Sequence, residues 1–135
     1  MAWRSWVTGP EIDLTIALPG GSAVACVGIV DTGASVVCMD KRIALQLGLP
    51  ATNRKPMQMA DGTEVQATAY AARMIIPSLG FDDEFEVFGV PMERPSSRVL
   101  IGRSFLRRYN VNYNGPAERF EFHEIVQVPY EDHDG

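Results

Sequence analysis

The stretch "IVDTGASVV", Ile29 to Val37, sets one carboxylate, Asp31, on a Thr-Gly turn between two runs of β-branched and apolar residues. A solitary Asp at the end of an apolar strand is costly unless it is paired or hydrogen-bonded. Two such carboxylates facing each other behave differently. Like charges sharing one site do not both ionise easily, so one keeps a proton while the other stays charged. That split offers a general acid and a general base to a single water. The turn suits the role: Gly33 lets the backbone approach closely and aim amide groups at the carboxylate, and the Thr32 hydroxyl can lock the turn. The plainer reading of Asp31 is a structural Asx-turn at a strand end. Ser35 lacks the second Gly and the nearby His that a nucleophile elbow needs, which argues against serine chemistry.

The flanking sequence supplies elements that can hold such a turn. "EIDLTIAL", Glu11 to Leu18, alternates Ile12, Leu14, Ile16 and Leu18 with polar or small residues, the period of a half-buried strand. After the turn "PGG", the run "AVACVGIV", Ala23 to Val30, is apolar on both faces, pairs back as a hairpin and delivers Asp31. A second apolar run, Val36 to Met39, leads to Asp40, which can cap the short helix "KRIALQLG". Ile43, Ala44 and Leu47 make its inner face, and Gly48 with Pro50 ends it. "MQMADGTEVQATAYAARMII" reads as a projecting β-hairpin turning at Asp61-Gly62.

A strand at Glu84 to Pro91, a loop "PMERPSS" and a short strand Val99 to Ile101 follow. Gly102 then opens a helix with Phe105, Leu106 and Tyr109 inward and Arg103, Arg107 and Arg108 reaching outward or pairing. A last hairpin turns at Asn114-Gly115, and the acidic tail is expected to fray.

The chain has 135 residues, 46% of them hydrophobic, enough for one modest core and a single domain. A net charge of -5 speaks against a nucleic-acid partner, which needs a basic face. No apolar stretch reaches the length of a membrane span, and "MAWRSWVTGPEIDL" lacks the apolar core of a secretory signal. The expectation is a soluble chain with a cytoplasmic address. Cys26 and Cys38 lack a CxxC spacing or a His partner and read as reduced, buried thiols. His123 and His133 read as surface residues, and neither a metal nor another cofactor is expected.

"VDTGAS", Val30 to Ser35, together with "VLIGRSFL", Val99 to Leu106, resembles the retropepsin-like, retroviral-type aspartic proteases, a family with bacterial members. In that family an Asp-Thr/Ser-Gly loop is followed, after a flap hairpin, by two hydrophobic residues, a Gly, often an Arg, and a short helix. The same order runs here over roughly Ile12 to Phe122. The resemblance implies a mostly β, single-domain acid-protease fold: a closed β barrel with a flap hairpin and short helices, working as a homodimer. It implies a domain at 11–123, preceded by an N-terminal segment at 1–10 and followed by an acidic tail at 124–135.

The activity implied is aspartic endopeptidase action on a peptide or protein substrate. Water, activated between the Asp31 carboxylates of two chains, attacks the peptide carbonyl with no acyl-enzyme and no metal. Only one Asp-Thr-Gly is present, so the partner acid comes from a second copy on a two-fold axis. Carried over position by position, Asp31 is catalytic; Thr32, Gly33, Ala34 and Ser35 form the active-site loop. Thr32 locks the dimer and Gly33 meets the substrate backbone. Met59, Ala60, Asp61, Gly62 and Thr63 form the flap and bind substrate, while Leu100, Ile101, Gly102 and Arg103 support the site.

Apolar pocket walls are expected from Val36, Met57, Met59, Val65 and Val99. Trp3 and Trp6 are candidates for anchoring the terminus at the dimer seam. Two departures from the family pattern carry consequences. Ala34 stands where pepsin-like enzymes carry a Ser donor, which implies a cleavage optimum above about pH 3. Ser35 stands where retroviral enzymes place an Asp that pairs with the Arg after the second Gly. Arg103 therefore needs another partner, a backbone carbonyl or a different carboxylate. The alternative from another class is a catalytically silent dimeric peptide-binding or scaffold module with the same fold.

Overall fold

The computed structural model describes residues 4–59 and 61–125. Among these residues ten strands, two short α-helices and a single 3-10 turn at Pro77–Leu79 follow one another: β1 Arg4–Thr8, β2 Glu11–Ala17, β3 Ala23–Val30, β4 Cys38–Asp40, α1 Lys41–Leu47, β5 Ala51–Gln58, β6 Glu64–Ile76, β7 Phe81–Val90, β8 Arg98–Ile101, α2 Arg103–Leu106, β9 Tyr109–Asn114 and β10 Arg119–Glu124. Seven of the strands lie in the order β2-β3-β8-β4-β7-β6-β5. The additional pairing of β2 with β6, Thr15↔Ile75 to Ala17↔Arg73, closes six of them into a barrel and leaves β5 outside. This is the mostly β, closed-barrel architecture that the resemblance implies. Among the described residues no helix is long and apolar enough to cross a membrane.

Period-two patterning builds the barrel. In β2, Ile12, Leu14 and Ile16 are buried while Glu11 and Asp13 are exposed. In β8, Val99 and Ile101 point into the main core and Leu100 points to the other face. Phe81, Phe85, Phe105, Tyr109 and Phe122 meet edge-on or tilted across one end of the core, with centroids 5.0–6.2 Å apart. Helix α1 buries Ile43, Ala44 and Leu47 and is capped by Asp40, whose carboxylate accepts from the Arg42 amide at 3.1 Å. Both cysteines are free and buried.

Several elements differ from the sequence reading. A strand near the start of the chain, β1, pairs antiparallel with β10 in a separate three-stranded sheet with β9; Trp6 lies on β1, and Trp3 lies outside the described residues. Strand β5 begins at Ala51 although its first six residues are all exposed, because its ladder comes from the β6 backbone. Strand β7 begins at Phe81 rather than Glu84 and runs beside β6 to Val90. Helix α2 has only four residues. Residues 126–135, with His133 and most of the acidic tail, lie outside the described residues, as does Ala60.

Candidate active site

Strand β8 is held between β3, parallel in register Val30↔Ile101, and β4, antiparallel in register Cys38↔Leu100. The segment joining β3 to β4, residues 31–37, therefore arches over the C-terminal end of β8. Asp31 opens that arch. Its amide donates to the Ile101 carbonyl at 3.1 Å, its own carbonyl accepts from Ala34 at 3.2 Å, and its Oδ1 accepts from the Gly33 amide at 2.9 Å. The carboxylate is thus fixed by backbone bonds. Among the described residues no salt bridge neutralises it.

The arch is fastened from below. Arg103 donates its amide to the Ala34 carbonyl at 2.9 Å, Ser104 to the Ser35 carbonyl at 3.0 Å, and the Arg103 Nη1 reaches the Thr32 carbonyl at 2.8 Å. Gly102 sits directly under the turn. A Cβ there would stand 2.2 Å from the Val36 carbonyl oxygen and 2.7 Å from that of Ala34, so only glycine admits this approach. The backbone at Thr32, Gly33 and Ser35 is left at the surface, with Asp31 and Ala34 half-buried. The structure thus brings Asp31, Thr32, Gly33, Ala34, Ser35, Ile101, Gly102 and Arg103 into one constellation, with Arg103 using a backbone carbonyl in place of a carboxylate at position 35.

The hairpin tip is stitched by its own side chains. Asp61 Oδ1 accepts from the Thr63 amide at 2.9 Å and the Thr63 hydroxyl at 2.6 Å. Met59 donates to the Thr63 carbonyl at 2.7 Å and Gly62 to the Met59 carbonyl at 2.9 Å. Gly62 adopts φ +90, a value that disfavours a side chain. The Thr63 hydroxyl and then its amide favour the charged form of Asp61, holding its carboxyl below the usual range. Asp61, Gly62 and Thr63 are exposed, and Met59 is half-buried.

Between the hairpin and the arch lies a second apolar cluster, separate from the main core. Cys38, Ala67, Ala69, Phe88 and Val90 form it, and Val36, Met57, Met59, Met92 and Leu100 pack against it. The Cys38 Sγ lies 3.8 Å from the Met57 Sδ. Burial pushes the Cys38 thiol up to about 11; the charge of Asp31 adds to this and that of Lys55 opposes it. Val36, on the arch that Asp31 opens, and Leu100, paired with Ile29 of β3 and Cys38 of β4, join this patch to the carboxylate's turn. Val36, Met57 and Met59, expected as pocket walls, pack against this cluster, and half-buried Val65 is not among its members. Nor is Val99: it is fully buried in the main core, and its neighbour Leu100 packs on this cluster instead. Sequence reasoning also missed Cys38, Phe88 and Met92. The two-residue alternation Val36-Cys38 along the strand was the available signal for Cys38; Phe88 and Met92 arrive through long-range pairing and a loop. Among the described residues no group of three or more His, Cys, Asp or Glu is placed to hold a metal.

The sequence profile of the gag-polyprotein putative aspartyl protease family matches residues 22–108. No curated protein matches the chain significantly. Among solved structures, a retropepsin-like aspartic protease from Rickettsia conorii superposes with a TM-score of 0.59 at 16% identity, covering 92% of this chain and 93% of that one. EIAV protease complexed with the inhibitor HBY-793 gives 0.49 at 14% identity over 74% of this chain and 86% of that one. The retroviral protease-like domain of Ddi1 from Leishmania major gives 0.48 at 19% identity over 82% and 84%.

Proposed function

Because the chain belongs to the gag-polyprotein putative aspartyl protease family, we propose that it is an aspartic endopeptidase whose working form is a homodimer joined at Asp31. The observation that carries this reading is the placement of Asp31. It stands half-buried at the end of β3, with one oxygen held by the Gly33 amide and no salt bridge to a cation among the described residues. One such group cannot serve as acid and base at once. A second copy related by a two-fold axis supplies the other, and two carboxylates at close range keep one proton between them.

In that pair the ionised Asp31 takes a proton from water as the oxygen attacks the peptide carbonyl. The protonated one gives its proton to the developing oxyanion. A proton then passes to the amide nitrogen as the C–N bond breaks. Substrate lies extended between the arch and the hairpin tip. There Gly33 and the backbone around Met59, Asp61, Gly62 and Thr63 offer strand-like hydrogen bonds. The hairpin lifts to admit it. Thr32, exposed beside the carboxylate, bonds the partner's loop across the axis, and the apolar cluster around Cys38 receives side chains flanking the cut.

The test is cleavage of a diverse peptide library by the purified protein over a dilution series, with Asp31→Asn alongside. Asn keeps an acceptor for the Gly33 amide, so the fold and the dimer persist while cleavage is lost. Wild-type activity rising as the square of dilute protein supports the dimeric enzyme. A folded, dimeric wild type that binds peptides and cleaves none shows a binding module instead, and a protein monomeric at every concentration ends the proposal.

A further inference from the structure

Asp40 is the only charged side chain fully buried among the described residues, 1% exposed, and capping α1 does not account for it. A cap uses one carboxylate oxygen, here Oδ1 with the Arg42 amide, and caps function well at the surface. Burying a carboxylate is costly unless its remaining lone pairs are met. The second oxygen, Oδ2, accepts from the Ser96 amide at 3.2 Å, 56 residues along the chain. The Arg42 Nε lies 3.6 Å from Oδ1, and the same guanidinium sends Nη2 to the Met92 carbonyl.

Ser96 and Met92 belong to one loop, residues 91–97, which joins the end of β7 to the start of β8. Strand β4 lies between those two strands, so the loop passes over the end of β4, where Asp40 stands. Asp40 holds the loop near its far end and Arg42 holds it near its beginning. At the Arg42 tie the Met92 side chain packs against the apolar cluster that also takes Val36 of the Asp31 arch.

We propose that Asp40 and Arg42 are positioning residues that seat Met92 and thereby set the preference of the cleft for long apolar side chains next to the scissile bond, a role that rests on the reading of the cleft given above. A loop tied only by its strand ends samples many positions, and a wall that moves discriminates poorly between side chains of different size. Two charge-assisted ties remove that freedom. Methionine, unbranched and polarisable, then fills the gap left by the side chain it meets.

Non-hydrolysable reduced-amide peptides carrying Met or Ala beside the replaced bond test this by direct binding. The wild type is expected to prefer the Met peptide by about tenfold, the scale on which apolar pockets discriminate. Arg42→Ala, at a half-exposed side chain, should reduce that ratio to roughly twofold, and Arg42→Lys should restore part of it. Met92→Ala should reduce it alike, and adding Arg42→Ala to Met92→Ala should change it no further, because Arg42 acts through Met92. Ser96→Pro, which removes the amide that Asp40 accepts, probes the other tie independently and should also lower the ratio.

An unchanged ratio in Arg42→Ala, an equal loss on both peptides, or full additivity with Met92→Ala overturns the proposal. Cleavage of the ordinary amide versions separates the two readings. Peptides bound with the expected ratios and never cut refute the protease while the clasp stands. Peptides cut by every variant with one unaltered preference refute the clasp alone.

Discussion

The Arg103 Nη1 donates to the Thr32 carbonyl at 2.8 Å, joining α2 to the Asp31 turn across 71 positions of sequence. With Ser at position 35 no carboxylate is offered there, and the guanidinium uses the backbone of the turn itself. The tie fixes the carbonyl of the residue whose side chain is proposed to cross the dimer axis.

Replacing Arg103 with Ala should therefore loosen the arch more than the core. Loss of one charge-assisted hydrogen bond at an exposed side chain costs about 1 kcal/mol. The melting temperature should fall by only a few degrees, while the dilution series should show dimer formation shifted to higher protein concentration. A variant with wild-type dimerisation and cleavage would show that Thr32 is held without it.

Gly102→Ala should be far more severe. The added carbon meets two backbone carbonyl oxygens, at 2.2 and 2.7 Å, and neither belongs to a flexible side chain. Displacing the arch costs about 3 kcal/mol or more. Denaturant unfolding should report that loss together with abolished cleavage, and a variant of normal stability would contradict the packing described.

Cys38 should resist alkylation. Raising its thiol from 9.0 to about 11 lowers the thiolate fraction near pH 8 about 100-fold, and labelling with iodoacetamide should slow accordingly. Asp31→Asn removes one of the causes and should speed it. The folded pKa lies above the unfolded one, so the stability tied to this thiol is complete below about pH 9. It is lost as pH rises through about 11. Urea midpoints measured across that range should fall in wild type and less in Cys38→Ala.

Thr63→Val removes the hydroxyl that Asp61 accepts at 2.6 Å. Asp61 should then titrate closer to an ordinary carboxylate, a change visible by NMR. Its lowered pKa means that the support it gives the hairpin tip is present at neutral pH and disappears as pH falls through the folded value, and the variant should lose that acid sensitivity. Faster amide exchange at Gly62 and a peptide KM raised about threefold should accompany it. Unaltered exchange would show that backbone bonds alone hold the tip.

What the sequence disclosed follows from how local each signal is. The Asp31 turn, the Asp61-Gly62 tip and the Asp40 cap are written in a few neighbouring residues, and Ile12, Leu14 and Ile16 carry their burial in their spacing. Strand β5 escaped that logic because Ala51 to Pro56 are all exposed and their pairing is imposed by β6. The Leu100-for-Val99 exchange turned on a one-residue register that a four-residue strand does not reveal. Asp40 was readable as a cap, but its bond to Ser96 depends on β4 lying between β7 and β8, which no local pattern states.

Closing the barrel through β2 and β6 leaves β5 as a free rim, and its composition guards against self-association by strand addition. Pro56 has no amide hydrogen to offer, and Arg54 and Lys55 set like charges against any identical rim that draws near. On the proposed function the hairpin swings outward, and this border is then exposed each time it moves. The same residues that pair β5 with β6 thus discourage fibril seeding from the element proposed to gate the site.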